Sequence, residues 1–250
     1  MACSSLCFGK YPLDDALRKI RELEFQKVDL ALHEGGRHLS PSALTGDLHR
    51  LAQHLRAFNL SYAAFHVRLG HTDAGAHDRL HAIGRLARLL TVPVLCVPAA
   101  PLGSDFDAEV ERLADWSRVC TSEGVMLTVE THSQTLTADP AGAVELCKRV
   151  PGLGLTLDPS HYLVGPHRPE NLDPLYPHVR HVRLRDSGTE PHQFQVRIGQ
   201  GAVEYGRIIS QLLRHGYDRV LTIDVRDLPD SPFPIEPEVR KLKYLLESLV

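Results

Sequence analysis

Glu130, Asp158 and Asp224 each close a short apolar run, in LTVETH, LTLDPSH and LTIDV, and Arg183 takes the corresponding place in VRHVRLRDS. Successive side chains of a strand point to opposite faces. Leu127 and Val129 therefore share one face, as do Leu155 with Leu157 and Leu221 with Ile223. The three carboxylates take the other face, each two residues after a threonine (Thr128, Thr156, Thr222). Carboxylates gathered at neighbouring strand ends are costly to bury unless they meet a cation or do acid–base chemistry. The pattern is that of a site.

Strands and helices alternate along the whole chain. Strands are expected at ACSSLCF, KVDLALH, SYAAFHV and VPVLCVPAA, ahead of the four charged segments. Between them lie helical stretches: DDALRKIRELEF, Pro41 to Phe58, HDRLHAIGRLARLL, FDAEVERLADWSRVCTSEG and DPAGAVELCKRV. A short segment broken by prolines follows at NLDPLYPHV, then EYGRIISQLLRHG and EPEVRKLKYLLESL. Asp139 is expected to cap the fifth helix with Pro140 at its first position, and Gly216 to end the seventh. Eight βα units with right-handed crossovers make a single (β/α)8 TIM barrel spanning residues 1–250. The competing open doubly wound sheet is weakened because no GxGxxG follows the first strand. Active sites of barrels lie at the C-terminal rim, where the charged strand ends fall.

Composition bounds the function. A formal net charge of −3 gives no general attraction to nucleic acid or to an anionic membrane. No apolar stretch approaches the roughly 18 residues of a membrane span, and MACSSLCFGKYP lacks the pattern of a secretory signal. Cys3, Cys7, Cys96, Cys120 and Cys147 have no CxxC spacing and read as reduced packing residues of a cytoplasmic protein. Most of the 15 histidines must be ordinary. His66 ends the third strand, where it can face the pocket; His33, at the end of the second, is read as structural. HTDAGAHDRLH is read as a loop running into a helix.

From about Val125 to Asp224, the ordered set VETHSQTL, GLGLTLDPSHYLV, HVRLRDS, GQGAVEYGRI and LTIDV resembles the xylose-isomerase-like sugar phosphate isomerase/epimerase superfamily. These are TIM barrels that include the apurinic endonucleases. The resemblance implies a divalent metal held by Glu, Asp, His and Glu from strands five to eight. Glu130 and Asp158 match the first two ligands, and His161 matches a histidine that contacts substrate. Two positions depart from that pattern: Arg183 stands where the ligand histidine is expected, and Asp224 where the last glutamate is expected.

Guanidinium has no lone pair to give, so Arg183 cannot be a ligand. Beside three carboxylates it can stand in for the cation, each pair at ~4 Å being worth about 4 kcal/mol before desolvation at an effective dielectric of 20. Its plainer reading is a structural partner of Asp158 or Glu130. A metal held by Glu130, Asp158 and Asp224 with water would be Mg²⁺ or Mn²⁺ rather than Zn²⁺, with His181, one layer deeper, as a second-choice ligand.

The chemistry implied by the resemblance is proton abstraction beside a carbonyl of a small sugar-like or polyol substrate. Glu130 and Asp224 would move the proton, His161, Arg183 and His66 would contact substrate, and the metal or Arg183 would steady the enediolate oxygen. A related dehydratase would use the same step. Against this stand a metal-free, non-catalytic sugar-binding barrel, to which Arg183 and Asp224 point, and a DNA-repair endonuclease. The endonuclease requires further histidine ligands that VLCVPAA does not supply. The long segment SGTEPHQFQVRIGQGA after strand seven is a candidate lid.

Overall fold

The computed structural model describes residues 1–44, 46–69, 75–167, 171–228 and 231–250. Eight parallel strands pair in chain order, and the last closes on the first. They are β1 (Ala2–Ser4), β2 (Lys27–His33), β3 (Ser61–Arg68), β4 (Val94–Pro98), β5 (Met126–Glu130), β6 (Gly154–Leu157), β7 (Val179–Leu184) and β8 (Leu221–Ile223). The connecting helices are α1 (Leu13–Glu22), α2 (Leu48–Arg56), α3 (Ala76–Leu89), α4 (Phe106–Ser122), α5 (Pro140–Arg149), α6 (Ser160–Val164), α7 (Tyr205–Arg214) and α8 (Ile235–Glu247). This is the expected (β/α)8 barrel. No described helix is long and apolar enough to cross a membrane.

Several boundaries differ from the sequence reading, each for a local reason. β1 stops at Ser4, whose hydroxyl accepts from the Leu6 amide and turns Ser5–Phe8 into a 3-10 segment. The helix expected from Pro41 to Phe58 is split. Pro41–Ala43 forms a 3-10 turn, and Asp47 caps a separate α2 by accepting from the amides of His49 and Arg50. The segment around NLDPLYPHV is a 3-10 run, Asp173–His178, with Pro177 inside it. Asp139 and Pro140 begin α5 as expected, and Gly216 follows α7 at φ +73°, a conformation that suits glycine. His71, Thr72, Asp73 and Ala74 of HTDAGAHDRLH lie outside the described residues.

The outward faces of the strands pack under the helices through Leu30, Leu32, Phe65, Val67, Leu95, Val97, Leu127, Val129, Leu155, Leu157, Val182 and Leu184, all buried. The inward faces are unusually polar for a barrel whose core is more often filled by branched apolar residues. Asp29, His66, Thr128, Thr156, His181 and Thr222 all point in and are buried. They survive there because they pair. Thr128 and Thr156 share a hydroxyl hydrogen bond of 2.8 Å, and His181 Nε2 lies 2.9 Å from Asp29 Oδ2. In the strand register Glu130 is level with Thr156 and Arg183 with Thr222. Asp158 and Asp224 therefore stand one pleat nearer the C-terminal mouth than Glu130 and Arg183 do relative to their neighbours. Long side chains have to bridge that step.

Candidate active site at the barrel mouth

Arg183 leaves β7 pointing inward and is fully buried. Its guanidinium spreads across the barrel. Nη2 donates to Asp224 Oδ1 at 2.9 Å and to Ser4 Oγ at 3.1 Å, Nη1 lies 3.4 Å from Glu130 Oε1, and Nε lies 3.4 Å from Asp29 Oδ2. Burial alone would favour loss of its proton. Asp224, Asp29 and Glu130 outweigh burial and hold its pKa well above the ordinary value. Of the two structural partners expected for Arg183, Glu130 is one; Asp158 is taken by a different arginine.

That second arginine is Arg185, two residues on and on the same face of the chain. Its Nη2 pairs with Asp158 Oδ2 at 2.8 Å and also contacts Asp224 Oδ2, while Nη1 donates to Ser160 Oγ at 3.1 Å. A third, Arg226, donates through Nε to Asp224 Oδ2 at 3.0 Å. Asp224 thus meets three guanidiniums. Burial pushes its pKa up, but Arg183, Arg226 and Arg185 together hold it well below the carboxylate range. Asp158 goes the other way: burial raises it, and Arg185 only partly offsets the effect.

Glu130 is also fully buried, yet among the described residues every contact of its carboxylate is loose. His66 Nε2 lies 3.3 Å from Oε2 and Arg68 Nη2 3.9 Å from it; Arg183 and Arg226 stand 3.4 and 3.8 Å from Oε1. Burial raises its pKa, but His66, Arg183 and Arg226 bring it well below the usual value. His66 is neutral near pH 7, because burial and then Arg183 push its pKa down to about 4. Its ring proton belongs on Nε2, facing the carboxylate, which leaves Nδ1 to accept from His33 Nε2 at 3.0 Å. Burial and the neighbouring His66 likewise depress His33. His33, read from the sequence as structural, supports His66.

His161 stands across the mouth. The Ser133 amide donates to its Nδ1 at 3.3 Å, so the neutral ring carries its proton on Nε2. Burial and then His132 lower its pKa, which keeps the ring neutral. Among the described residues Nε2 has no hydrogen-bond partner; its nearest carboxylate, Asp158 Oδ2, is 3.8 Å away. His132 and Phe194 lie against the His161 ring with centroids 4.0 and 4.6 Å apart, and Arg185 lies over Phe194 at 4.5 Å. A cavity of about 190 Å³ opens on the barrel's flank between Tyr162, Tyr176 and Ile208, and shares none of these side chains.

A model for the xylose isomerase-like TIM barrel family matches residues 17–245. The chain belongs to that family. No curated protein matches this xylose isomerase-like barrel in sequence. Solved structures do match it in shape. A xylose isomerase-like TIM barrel protein from Mycobacterium smegmatis in complex with magnesium aligns with a TM-score of 0.76 at 19% identity, over 100% of this chain and 97% of that one. L-ribulose 3-epimerase aligns at 0.74 and 16%, over 100% and 95%, and the IOLI protein with a zinc atom at 0.76 and 17%, over 99% and 97%. At such identities the likeness shows the fold.

The residues of this xylose isomerase-like barrel do not fit a divalent ion. Glu130, Asp158 and Asp224 were expected as ligands, but guanidiniums stand among them: Arg183 between Glu130 and Asp224, Arg185 between Asp158 and Asp224. Among the described residues no three His, Cys, Asp or Glu side chains form a group able to hold a metal. His181, the second-choice ligand, is committed to Asp29. A divalent ion would have to share this ring with buried positive charge. Asp29, Arg68, Arg185 and Arg226 went unnoticed in the sequence. Alternation contained the signal: Asp29 shares a face with His33, Arg68 with His66, Arg185 with Arg183, and Arg226 with Asp224.

Two outcomes are expected. Offered Mn²⁺, Mg²⁺ or Zn²⁺ and then desalted, the wild-type protein retains no stoichiometric metal by mass spectrometry, whereas Arg183→His, which trades a buried cation for a lone pair, retains more Mn²⁺ than wild type. One equivalent on the wild-type chain would show that the arginines yield to the ion. Asp224→Asn, in turn, leaves three guanidiniums short of a counter-ion and destabilises the fold by about 3–5 kcal/mol in denaturant melts. Asp224 has a depressed folded pKa, so its contribution is present above the unfolded carboxylate pKa and lost as pH falls through the folded one. The variant's stability should therefore depend less steeply on pH in that acid window; an unchanged slope would remove Asp224 from its role as counter-ion.

Proposed function

We propose that the barrel mouth takes a small sugar-like or polyol hydroxy-carbonyl compound and moves a proton beside its carbonyl, as an isomerase without a divalent metal. Magnesium and zinc are bound in two solved relatives, and a third is a sugar epimerase. In this chain the electrostatic part of that chemistry falls to guanidinium. The observation that carries the reading is a pair of hydrogen-bond donors left free beside a loosely held carboxylate. Arg226 Nη2 and His161 Nε2 have no hydrogen-bond partner among the described residues, and among those residues no side-chain contact to the Glu130 carboxylate is shorter than 3.3 Å.

Glu130 is the base. It takes the proton from the hydroxyl-bearing carbon; the C–H pair becomes the C=C bond of an enediolate, and the carbonyl pair moves onto oxygen. His161 meets that oxygen with an N–H group already in position, and the positive charge of Arg226 beside Glu130 favours the developing anion. Glu130 returns the proton to the former carbonyl carbon. The hydroxyl proton passes between the two oxygens, completing the exchange of carbonyl and alcohol. Asp224 is closed in by three arginines and serves as their counter-ion, which favours a one-base isomerisation over a two-base epimerisation.

A second reading has its own support. The depressed pKa of Glu130 makes it a weak base, as suits a barrel that binds a sugar-like ligand without turnover. Proton exchange separates the two. Incubated with a panel of aldoses, ketoses and their acids in D₂O, the wild-type protein should label the carbon beside a carbonyl, read by NMR, and Glu130→Gln should lose that exchange by about 10²-fold or more. Saturable binding of panel members with no labelling of any would favour the non-catalytic barrel.

A further inference from the structure

Negative and positive charge are separated by depth at the mouth. The carboxylates of Asp29, Glu130, Asp158 and Asp224 are wholly buried, as are Arg183 and Arg185. Two arginines reach higher: the Arg68 side chain, at the end of β3, is 40% exposed, and that of Arg226, just past β8, is 15% exposed. They flank Glu130 from opposite sides at 3.9 and 3.8 Å, about 1 Å beyond the length of a charge-assisted hydrogen bond. Neither is saturated: Arg68 Nε and Arg226 Nη2 make no hydrogen bond among the described residues.

Other contacts hold the Arg226 side chain and the backbone of both residues. Arg226 is anchored through Asp224, and its backbone is pinned by Gln195, which accepts from the Arg226 amide at 2.6 Å and donates to its carbonyl at 2.9 Å. The Arg68 carbonyl accepts from the Glu34 amide at 2.9 Å. Two guanidiniums with spare donors, that of Arg226 held by Asp224, over a floor whose acids are already paired, suit a planar oxyanion that arrives from outside. His161 Nε2, nine-tenths buried and unpartnered, adds a donor for a neighbouring oxygen.

We infer that Arg68 and Arg226 form a carboxylate subsite beside Glu130, so that the compound taken at the mouth is a sugar acid or short hydroxy acid rather than a neutral sugar. The inference rests on the proposed function for the role of Glu130, but the subsite itself rests on the two arginines. A carboxylate there would lie next to the carbon that Glu130 addresses, and each guanidinium would gain the close hydrogen bonds that Glu130 does not give it.

The test is calorimetric binding with matched probes: D-glycerate and D-gluconate, the alcohols glycerol and sorbitol, and the esters glycerol 3-phosphate and sorbitol 6-phosphate. The acids should bind, the alcohols should bind at least about ten-fold more weakly, and added salt should weaken the acids most. Arg68→Gln and Arg226→Gln should each weaken acid binding about ten-fold or more. Arg68, being the more exposed, provides the variant least disposed to misfold. Acids and alcohols binding alike, or no probe binding, would overturn the subsite. So would acid binding that survives both substitutions, and phosphates preferred through the same arginines would overturn its assignment to a carboxylate. Alcohols binding as well as acids would leave the polyol reading standing without the subsite. Arginine-dependent acid binding, with no labelling of any panel compound in D₂O, would leave the subsite standing without the isomerase.

Discussion

The contact on which the rest of the site depends is the fully buried guanidinium of Arg183 among Asp29, Glu130 and Asp224. An isolated carboxylate at this depth would take up a proton, and an isolated guanidinium would be excluded from the core. Each is tolerated because the other is present. One planar group reaching from β7 to residues of β1, β2 and β5 and to the end of β8 also ties the barrel across its interior, in directions that strand hydrogen bonds do not cover. It stands where the sequence resemblance led a metal ligand to be expected. A point charge and a fork impose different geometry, however. The fork leaves Asp158 to Arg185 and draws Asp29 into the ring.

The consequence is an asymmetry among acids that look equivalent at the strand ends. Asp224 is saturated, Asp158 is paired and bonded to Ser160, and only Glu130 is held at long range by several groups at once. A carboxylate in close hydrogen bonds to arginine is stabilised in place and is correspondingly slow to accept a proton. One that is ringed by cations but closely bonded to none keeps its charge and some freedom to reach a substrate. The neutral chain from His33 through His66 supports this state, because it offers Glu130 a donor without adding another full charge.

Much of this was legible in the chain, and the illegible part has a physical cause. The apolar runs with acids at their ends gave the barrel, the inward face and the mouth. Arg183 announced itself by standing where a ligand was expected. Asp29, Arg68, Arg185 and Arg226 obey the same alternation, Asp29 two pleats before His33 and each arginine one pleat beyond His66, Arg183 or Asp224, but lie to either side of the strand-end positions where the pattern of acids drew attention. The choice of partners could not be read. Arg183 meets Asp29 across 154 positions of sequence and Arg185 takes Asp158, pairings set by strand register and barrel closure rather than by local pattern. The split of the Pro41 to Phe58 helix is the opposite case, a purely local signal at Asp47 that helical periodicity obscured.

The loop after β7 bears on how such a site achieves selectivity. Its length suggested a lid, yet its ends and middle are tied down. The Asp186 carboxylate accepts from the amides of Ser187, Gly199 and Gly201, and Glu238 of α8 accepts from Ile198. A β-carbon at Gly201 would collide with that same Asp186 carboxylate, so the close approach requires glycine. Gln195 locks the middle of the loop to Arg226, and Phe194 is held between His161 and Arg185. Opening the loop would break the contacts that aim Arg226 and cover Arg185. In this barrel the loop is joined to the ion-pair ring through Gln195 and Arg226 on one side and through Phe194 and Arg185 on the other.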